Sequence, residues 1–262
     1  MRLIDTHAHL TSKELADDVP GVLQRARAAG VEHLITVATD VADSVQGAEL
    51  ASRHDGVSCT VGIHPHHADP VAEQDYHAIE RLLSEGRSVA FGEIGLDYHY
   101  DFSERRTQHL VFARQIEIAK AIDLPLIIHC REAYADVITI LQSHKLVGRP
   151  IVFHCFTGTK KELDLIDERG WRASFTGIVT FERSNVLQDI AREYPPEKLM
   201  LETDSPYLSP VPVRHVRPNT PAHVAHLADF LARLRGVDAE TLAAETTRNA
   251  REFFNLPADS GK

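Results

Sequence analysis

Two histidines one residue apart, His7 and His9 in the opening run D-T-H-A-H-L, are the first residues with the means to do chemistry. On a strand alternate side chains share a face, about 7 Å apart along the backbone, so two imidazoles can converge on one metal ion. The pair by itself fits two surface histidines of a mobile terminus equally well. Further histidines and carboxylates recur at the ends of apolar runs. They are His64 in G-I-H-P-H, Glu93 in F-G-E-I-G-L-D, His129 in L-I-I-H-C-R, His154 in I-V-F-H-C-F-T-G and Asp204 in L-E-T-D-S-P.

His7, His9, Glu93, His129, His154 and Asp204 are too many ligands for one tetrahedral ion and suit two divalent ions with positions open to water. Two ions ~3.5–4 Å apart need a bridging carboxylate, and Glu93 is the central choice. His7, His9 and Asp204 would complete one shell, and His129 and His154 the other. A water activated at such a site attacks an electrophile, with Asp204 as general base for its proton. Structural zinc is disfavoured, because it usually comes as a Cys-rich cluster with local spacing. The donor set does not choose among zinc, manganese and magnesium. A basic group surrounds the set: His64, His66, Arg131, Arg214 and Arg217. The arginine of H-C-R, two residues past a ligand histidine, carries a fork matched to phosphate oxygens. For His66 and Arg217 an ordinary surface role stands level with this one. Asp97 is either a partner that orients a ligand histidine or a loop residue, and Asp5 shares the parity of His7 and His9, so it can brace one of them.

The elements that must position these residues are eight short apolar runs: Leu3–His9, Leu34–Thr39, Ser58–His64, Val89–Asp97, Pro125–Cys130, Pro150–Phe156, Arg172–Ile178 and Leu199–Asp204. Helix-like segments such as Glu14–Ala29, Ser103–Ile122 and Lys161–Arg169 lie between them, and Ala222 to Phe254 is helical. Gln115 falls on the apolar face of the second segment and needs a partner there. Nearly continuous apolar strands alternating with helices predict a parallel sheet, and eight repeats predict an α/β, (β/α)8 TIM barrel forming a single domain over 1–262. The candidate ligands then sit at or near strand carboxyl ends, which meet at one mouth. The Pro-rich stretch Pro206 to Pro221 becomes a loop over that mouth. Cys130 and Cys155 should point to the opposite side of their strands and pack. Histidines 33, 54, 67, 77, 99, 109, 144, 223 and 226 fall in expected helices or loops and read as solvated.

Among 262 residues, 43% are hydrophobic and 25% charged, with a net charge of −10, sixteen histidines and three cysteines. No apolar stretch is long enough for a membrane span and no leader pattern opens the chain, so a cytoplasmic protein is expected. Three cysteines without CxxC spacing fit a reducing compartment. The negative charge disfavours wholesale electrostatic binding to nucleic acid but permits a local basic cleft. No obligate protein partner is evident.

D-T-H-A-H-L, V-G-I-H-P-H, G-E-I-G-L-D-Y, L-P-L-I-I-H-C-R-E-A, H-C-F-T-G, L-E-T-D-S-P-Y-L-S-P and T-T-R-N-A-R-E-F-F occur in order, nearly end to end. In these motifs the chain resembles the TatD family of metal-dependent deoxyribonucleases, within the amidohydrolase-like barrels. The resemblance implies a (β/α)8 fold, divalent metals, cleavage of phosphodiester bonds in DNA by a 3′ exonuclease, and ligand roles for the six residues above. Two departures stand out. Arg214-His215 occurs where the family usually has Arg-Gly, which should alter that loop's path and its substrate contacts, and Tyr98 is followed by His99. Competing functions are hydrolysis of a small ester, amide or lactone, aminoacyl-tRNA deacylation, and a non-enzymatic metal-holding module. Many small-molecule hydrolases of this architecture bridge their metals with a modified lysine, and none of the seven lysines falls at an expected strand end.

Overall fold

Apolar runs become strands and the amphipathic segments between them become helices. The structure, a computed structural model, describes residues 1–100, 102–146 and 148–257. In chain order they form β1 (Leu3–Ala8), α1 (Val19–Ala28), β2 (Val31–Thr36), α2 (Val41–Arg53), β3 (Val57–Val61), α3 (Glu73–Ser84) and β4 (Ser88–Asp97). There follow α4 (Arg105–Ala119), β5 (Leu126–Arg131), α5 (Tyr134–Ser143), β6 (Ile151–Phe153), α6 (Lys160–Asp167) and β7 (Arg172–Phe175). The last elements are α7 (Asn185–Glu193), β8 (Met200–Leu201), α8 (Val224–Arg235) and α9 (Ala239–Phe254). The strands follow sequence order from β1 to β8 in an eight-stranded sheet. Parallel pairing and βα alternation give the expected (β/α)8 class. No helix among the described residues is long and apolar enough to cross a membrane.

Several bounds differ from expectation. Strand β2 begins three residues earlier than expected and takes in His33, while β6 to β8 stop short of the polar residues that follow them. Those residues therefore leave the sheet on turns: Asp204 has φ 53° and Cys155 φ 45°. The C-terminal helix is two helices, because Gly236 adopts φ 69° after α8 and Asp238 caps α9 through the Thr241 N–H.

The chain divides into two compact units, Met1–Thr36 together with the chain from Ala173 onward, and Val37–Arg172. In the first, β1 pairs with β2, Ala8 bridges Ser205, and Asn249 of α9 donates to the carbonyls of Pro196 and Leu199 ahead of β8. In the second, Phe91, Phe112, Phe153 and Trp171 are fully buried around β3 to β6. Gln115 faces this core with its amide satisfied: it accepts from the Ile63 N–H and donates to the Ile63 carbonyl, both at 2.9 Å. That bond pair ties α4 to the segment leading from β3 to His64. Gly95 (φ 151°) lets β4 pass β5 closely, since a Cβ there would lie 1.9 Å from the His129 carbonyl oxygen.

His33 corrects one expectation, for it is buried in β2 opposite Ile4 rather than solvated. Burial pushes its imidazole down to about 4, with the Arg251 guanidinium adding and Glu32 opposing. A histidine whose folded value lies below its unfolded one contributes fully above about 6.5 and less as pH falls toward 4. In urea titrations the stability gap between wild type and His33→Gln should therefore narrow, by at most about 3 kcal/mol, between pH 7 and pH 4. A pH-independent gap would refute this reading. Gln115→Leu leaves two buried backbone groups of Ile63 unsatisfied and should cost about 2–5 kcal/mol in the same assay.

Candidate metal centres

In the first unit β1 ends in T-H-A-H. The backbone there is held by the turn after β8: the Asp204 N–H donates to the His7 carbonyl (2.9 Å), and the His9 N–H to the Ser205 carbonyl (2.7 Å). Asp5 fastens this junction. Its carboxylate accepts from the Thr203 N–H (2.8 Å), the Thr203 hydroxyl (2.6 Å) and the His7 N–H (3.3 Å). Burial pushes Asp5 up to about 7, while those hydrogen bonds from Thr203 and His7 pull it down. Its part is thus to brace the backbone of His7. The turn aims Asp204 at both histidines, with Oδ1 3.4 Å from His9 Nε2 and 3.9 Å from His7 Nε2. These three residues place one donor atom each within 4.8 Å of one another.

In the second unit Glu93, only 2% exposed, is the centre of the arrangement. Its Oε1 lies 2.5 Å from His154 Nε2, 2.6 Å from His129 Nδ1 and 3.5 Å from His64 Nε2. His129 Nδ1 and His154 Nε2 are 3.2 Å apart. The far side of His129 bonds Asp97, whose Oδ2 also meets His66 Nε2, both at 2.9 Å. Asp97 Oδ1 accepts from the N–H groups of His99 and Tyr100. Burial opposes the Asp97 charge, but His129 and His66 overcome it and hold the carboxyl well below its usual range. Burial likewise opposes a charged His129, yet its bonds to Asp97 and Glu93 win and raise it. Burial pushes His64 down to about 3, against the pull of Glu93. His64 Nδ1 accepts from the His66 N–H at 3.0 Å, which turns Nε2 toward Glu93.

Both clusters fit a divalent ion. Donors sharing an ion at ~2.1 Å, with angles between 90° and tetrahedral, lie ~3.0–3.4 Å from one another, and the nitrogen–nitrogen and nitrogen–carboxylate spacings here bracket that range. A buried carboxylate ringed by imidazoles also calls for compensating positive charge. His64, His66 and His129 form a further group with donor atoms within 4.8 Å, so His64 and His66 face the ligand cluster directly. Arg131 is exposed, and its guanidinium lies 4.9 Å over the Tyr100 ring. Arg214, exposed in the loop after β8, lies 3.5 Å over Phe181. Arg217 donates to the carbonyls of Arg214 and Val216 at 2.8 Å, a loop-bracing role. His215 is exposed at the same loop's tip.

The family model described as TatD related DNase matches residues 4–255. The chain belongs to the TatD family. TatD relatives include the "Uncharacterized metal-dependent hydrolase YabD" of Bacillus subtilis, 36% identical over 97% of this chain and 99% of its own length. The "3′-5′ ssDNA/RNA exonuclease TatD" of Erwinia tasmaniensis is 38% identical over 97% of this chain and all of its own length. Among solved structures, the TatD homologue YJJV of Escherichia coli superposes with a TM-score of 0.92 at 29% identity, covering 98% of this chain and 99% of that one. The chain is accordingly a metal-dependent hydrolase of the TatD family with a (β/α)8 fold.

Three features escaped the sequence reading. Glu202 is buried in the first unit and shares the parity of Asp204, a signal the sequence carries. Tyr207, 57% exposed, sets its ring 6.2 Å from that of His9, and only the turn after β8 brings them together. The exposed rings of Tyr100 and Phe102 lie beside His66. Cys155 is also off its expected strand, whereas Cys130 is buried as expected.

Asp97 orients His129 without reaching Glu93's side of the ring, so Asp97→Asn should weaken zinc binding at the second cluster about 10- to 100-fold in chelator competition, with the fold retained. Unchanged affinity would remove Asp97 from the account.

Proposed function

We propose that this chain is a phosphodiesterase with two divalent ions, acting as a 3′-5′ exonuclease on single-stranded nucleic acid in the cytoplasm, with residues 1–262 as one hydrolase unit. Residues 258–262 of that unit lie outside the described residues. The observation that carries the reading is the pair of His/carboxylate clusters in a chain aligned end to end with a relative named 3′-5′ ssDNA/RNA exonuclease. The three cysteines, none disulfide-bonded, accord with a reducing compartment.

In this reading His7, His9 and Asp204 hold one ion, and Glu93, His129 and His154 hold the other. Zinc, manganese or magnesium held there would supply positive charge to the phosphate and acidify an attacking water. Asp204, with Oδ1 3.4 Å from His9 and 3.9 Å from His7, is also the carboxylate that accepts the proton of the attacking water. His64 is kept neutral by burial, which suits it to contact substrate or lend a nitrogen to the second ion. His66, anchored on Asp97 and partly exposed beside the second cluster, is a further substrate contact. Arg131 and Arg214 are the charged contacts for flanking phosphates. None of the described lysines lies in a strand, which speaks against the carboxylated-lysine hydrolases.

Metal analysis of purified protein should return two ions per chain. Removal of metal with a strong chelator should abolish cleavage of a 3′-labelled oligonucleotide, and two equivalents should restore it. Asp204→Asn should lower the rate by about 10²–10⁴-fold. Bridging by Glu93 predicts that Glu93→Ala depletes both ions, whereas a non-bridging Glu93 predicts loss of one. Full activity of either variant, or no phosphodiester cleavage with any of the three metals alongside cleavage of a lactone or ester, would sink the proposal.

A further inference from the structure

Between β4 and α4 the chain places two large apolar rings in water. Phe102 is 65% exposed and Tyr100 40%, and they stack nearly parallel, 5.4 Å between centroids and 13° between planes. Described residues on either side of the pair are tied to their surroundings. The Tyr100 N–H is bonded to Asp97 Oδ1 at 2.9 Å, and the Ser103 hydroxyl donates to the His66 carbonyl at 3.1 Å. The His66 ring packs edge-on against both, at 4.8 Å from Phe102 and 5.6 Å from Tyr100, and lies 5.9 Å from the His129 ring. Arg131 lies over Tyr100. The aromatic stack is therefore fastened through Asp97 and His66 to the residues of the second cluster, and all of these residues belong to one compact unit.

We propose that Phe102, backed by Tyr100, is a stacking platform for a nucleobase of the strand being cleaved. This rests on the phosphodiesterase reading and adds the feature that would let the enzyme select nucleic acid over a simple phosphodiester. The occupant follows from three observations. A planar, parallel ring pair with an exposed outer member offers a π-face, which every base can use regardless of sequence. Arg131, exposed and lying over Tyr100, adds a cation to the backing ring, where a phosphate of the strand is attracted. The net charge of −10 repels a polyanion at long range, so local stacking has to supply affinity that a basic groove supplies in other single-strand binders.

The test uses metal-stripped full-length protein, so that binding is read without cleavage. Fluorescence anisotropy compares a labelled oligothymidylate with an abasic strand of equal length, for wild type, Tyr100→Ala/Phe102→Ala and Phe102→Trp. Wild type should prefer the base-bearing strand. The double alanine variant should lose about 5- to 150-fold in affinity for it and bind the abasic strand as before. Phe102→Trp should retain or strengthen the preference. Thermal unfolding should show all three folded at the assay temperature. The proposal is overturned if the double variant keeps wild-type affinity for oligothymidylate, or if it loses both strands equally. The metal-loaded wild type is then assayed on both strands. Cleavage of neither would refute the phosphodiesterase reading while leaving the measured base preference standing, so the two failures are distinguishable.

Discussion

A carboxylate buried to 2% exposure, that of Glu93, sets the terms for the unit around it. An isolated buried anion costs several kcal/mol, so positive charge or hydrogen-bond donors must be built in beside it. Three imidazoles answer this demand, from His64, His129 and His154, and each has to be brought to Glu93 by a different part of the backbone. Gly95 permits the close passage of β4 and β5 that puts His129 in place. Gln115 clamps the segment that carries His64. Asp97 then holds His129 and His66 from behind, and itself becomes a strongly stabilised anion. Charge is balanced in layers, with carboxylates alternating with imidazoles from the core outward to the aromatic rings at the surface.

The first unit solves a similar problem through backbone ties. Its histidines lie on one strand, two residues apart, and their geometry depends on how the end of β1 is held. Asp5 does this by gripping Thr203, so that the turn carrying Asp204 is hydrogen-bonded to the residues it must face. The left-handed conformation at Asp204 re-aims its carboxylate after a strand of only two residues. A carboxylate positioned by a turn can approach two imidazoles that a straight continuation of the strand would pass by.

Much of this was legible in the chain. Apolar runs alternating with amphipathic segments identified the (β/α)8 class, because strand and helix periods are local properties. The need of Gln115 for a partner was visible from its place on an apolar face, and the choice for Asp97 between orienting a ligand and lying in a loop was posed by its position after G-L. Other features were not readable. His33 looked like a loop residue because the start of β2 is V-E-H, whose polar pair hides a strand, and pairing with β1 rather than propensity decides it. That the Arg131 guanidinium lies over Tyr100, thirty-one positions earlier in the chain, was not in its spacing either. The stack of Tyr100 on Phe102 depends on loop conformation, which no periodicity reports.

By itself the sequence determined the inventory: which strands exist, that their ends carry histidines and carboxylates, and that the chain is built to hold metal. These follow from residue type and spacing, which act over a few residues. The tertiary structure decided the pairings: that Glu93 takes three imidazoles, that Asp97 supports one of them, His129, together with His66, that Asp5 serves the backbone, and that aromatic rings stand beside His66. Such pairings depend on how closely strands pass and where turns aim, and those distances are set by packing among residues far apart in the chain.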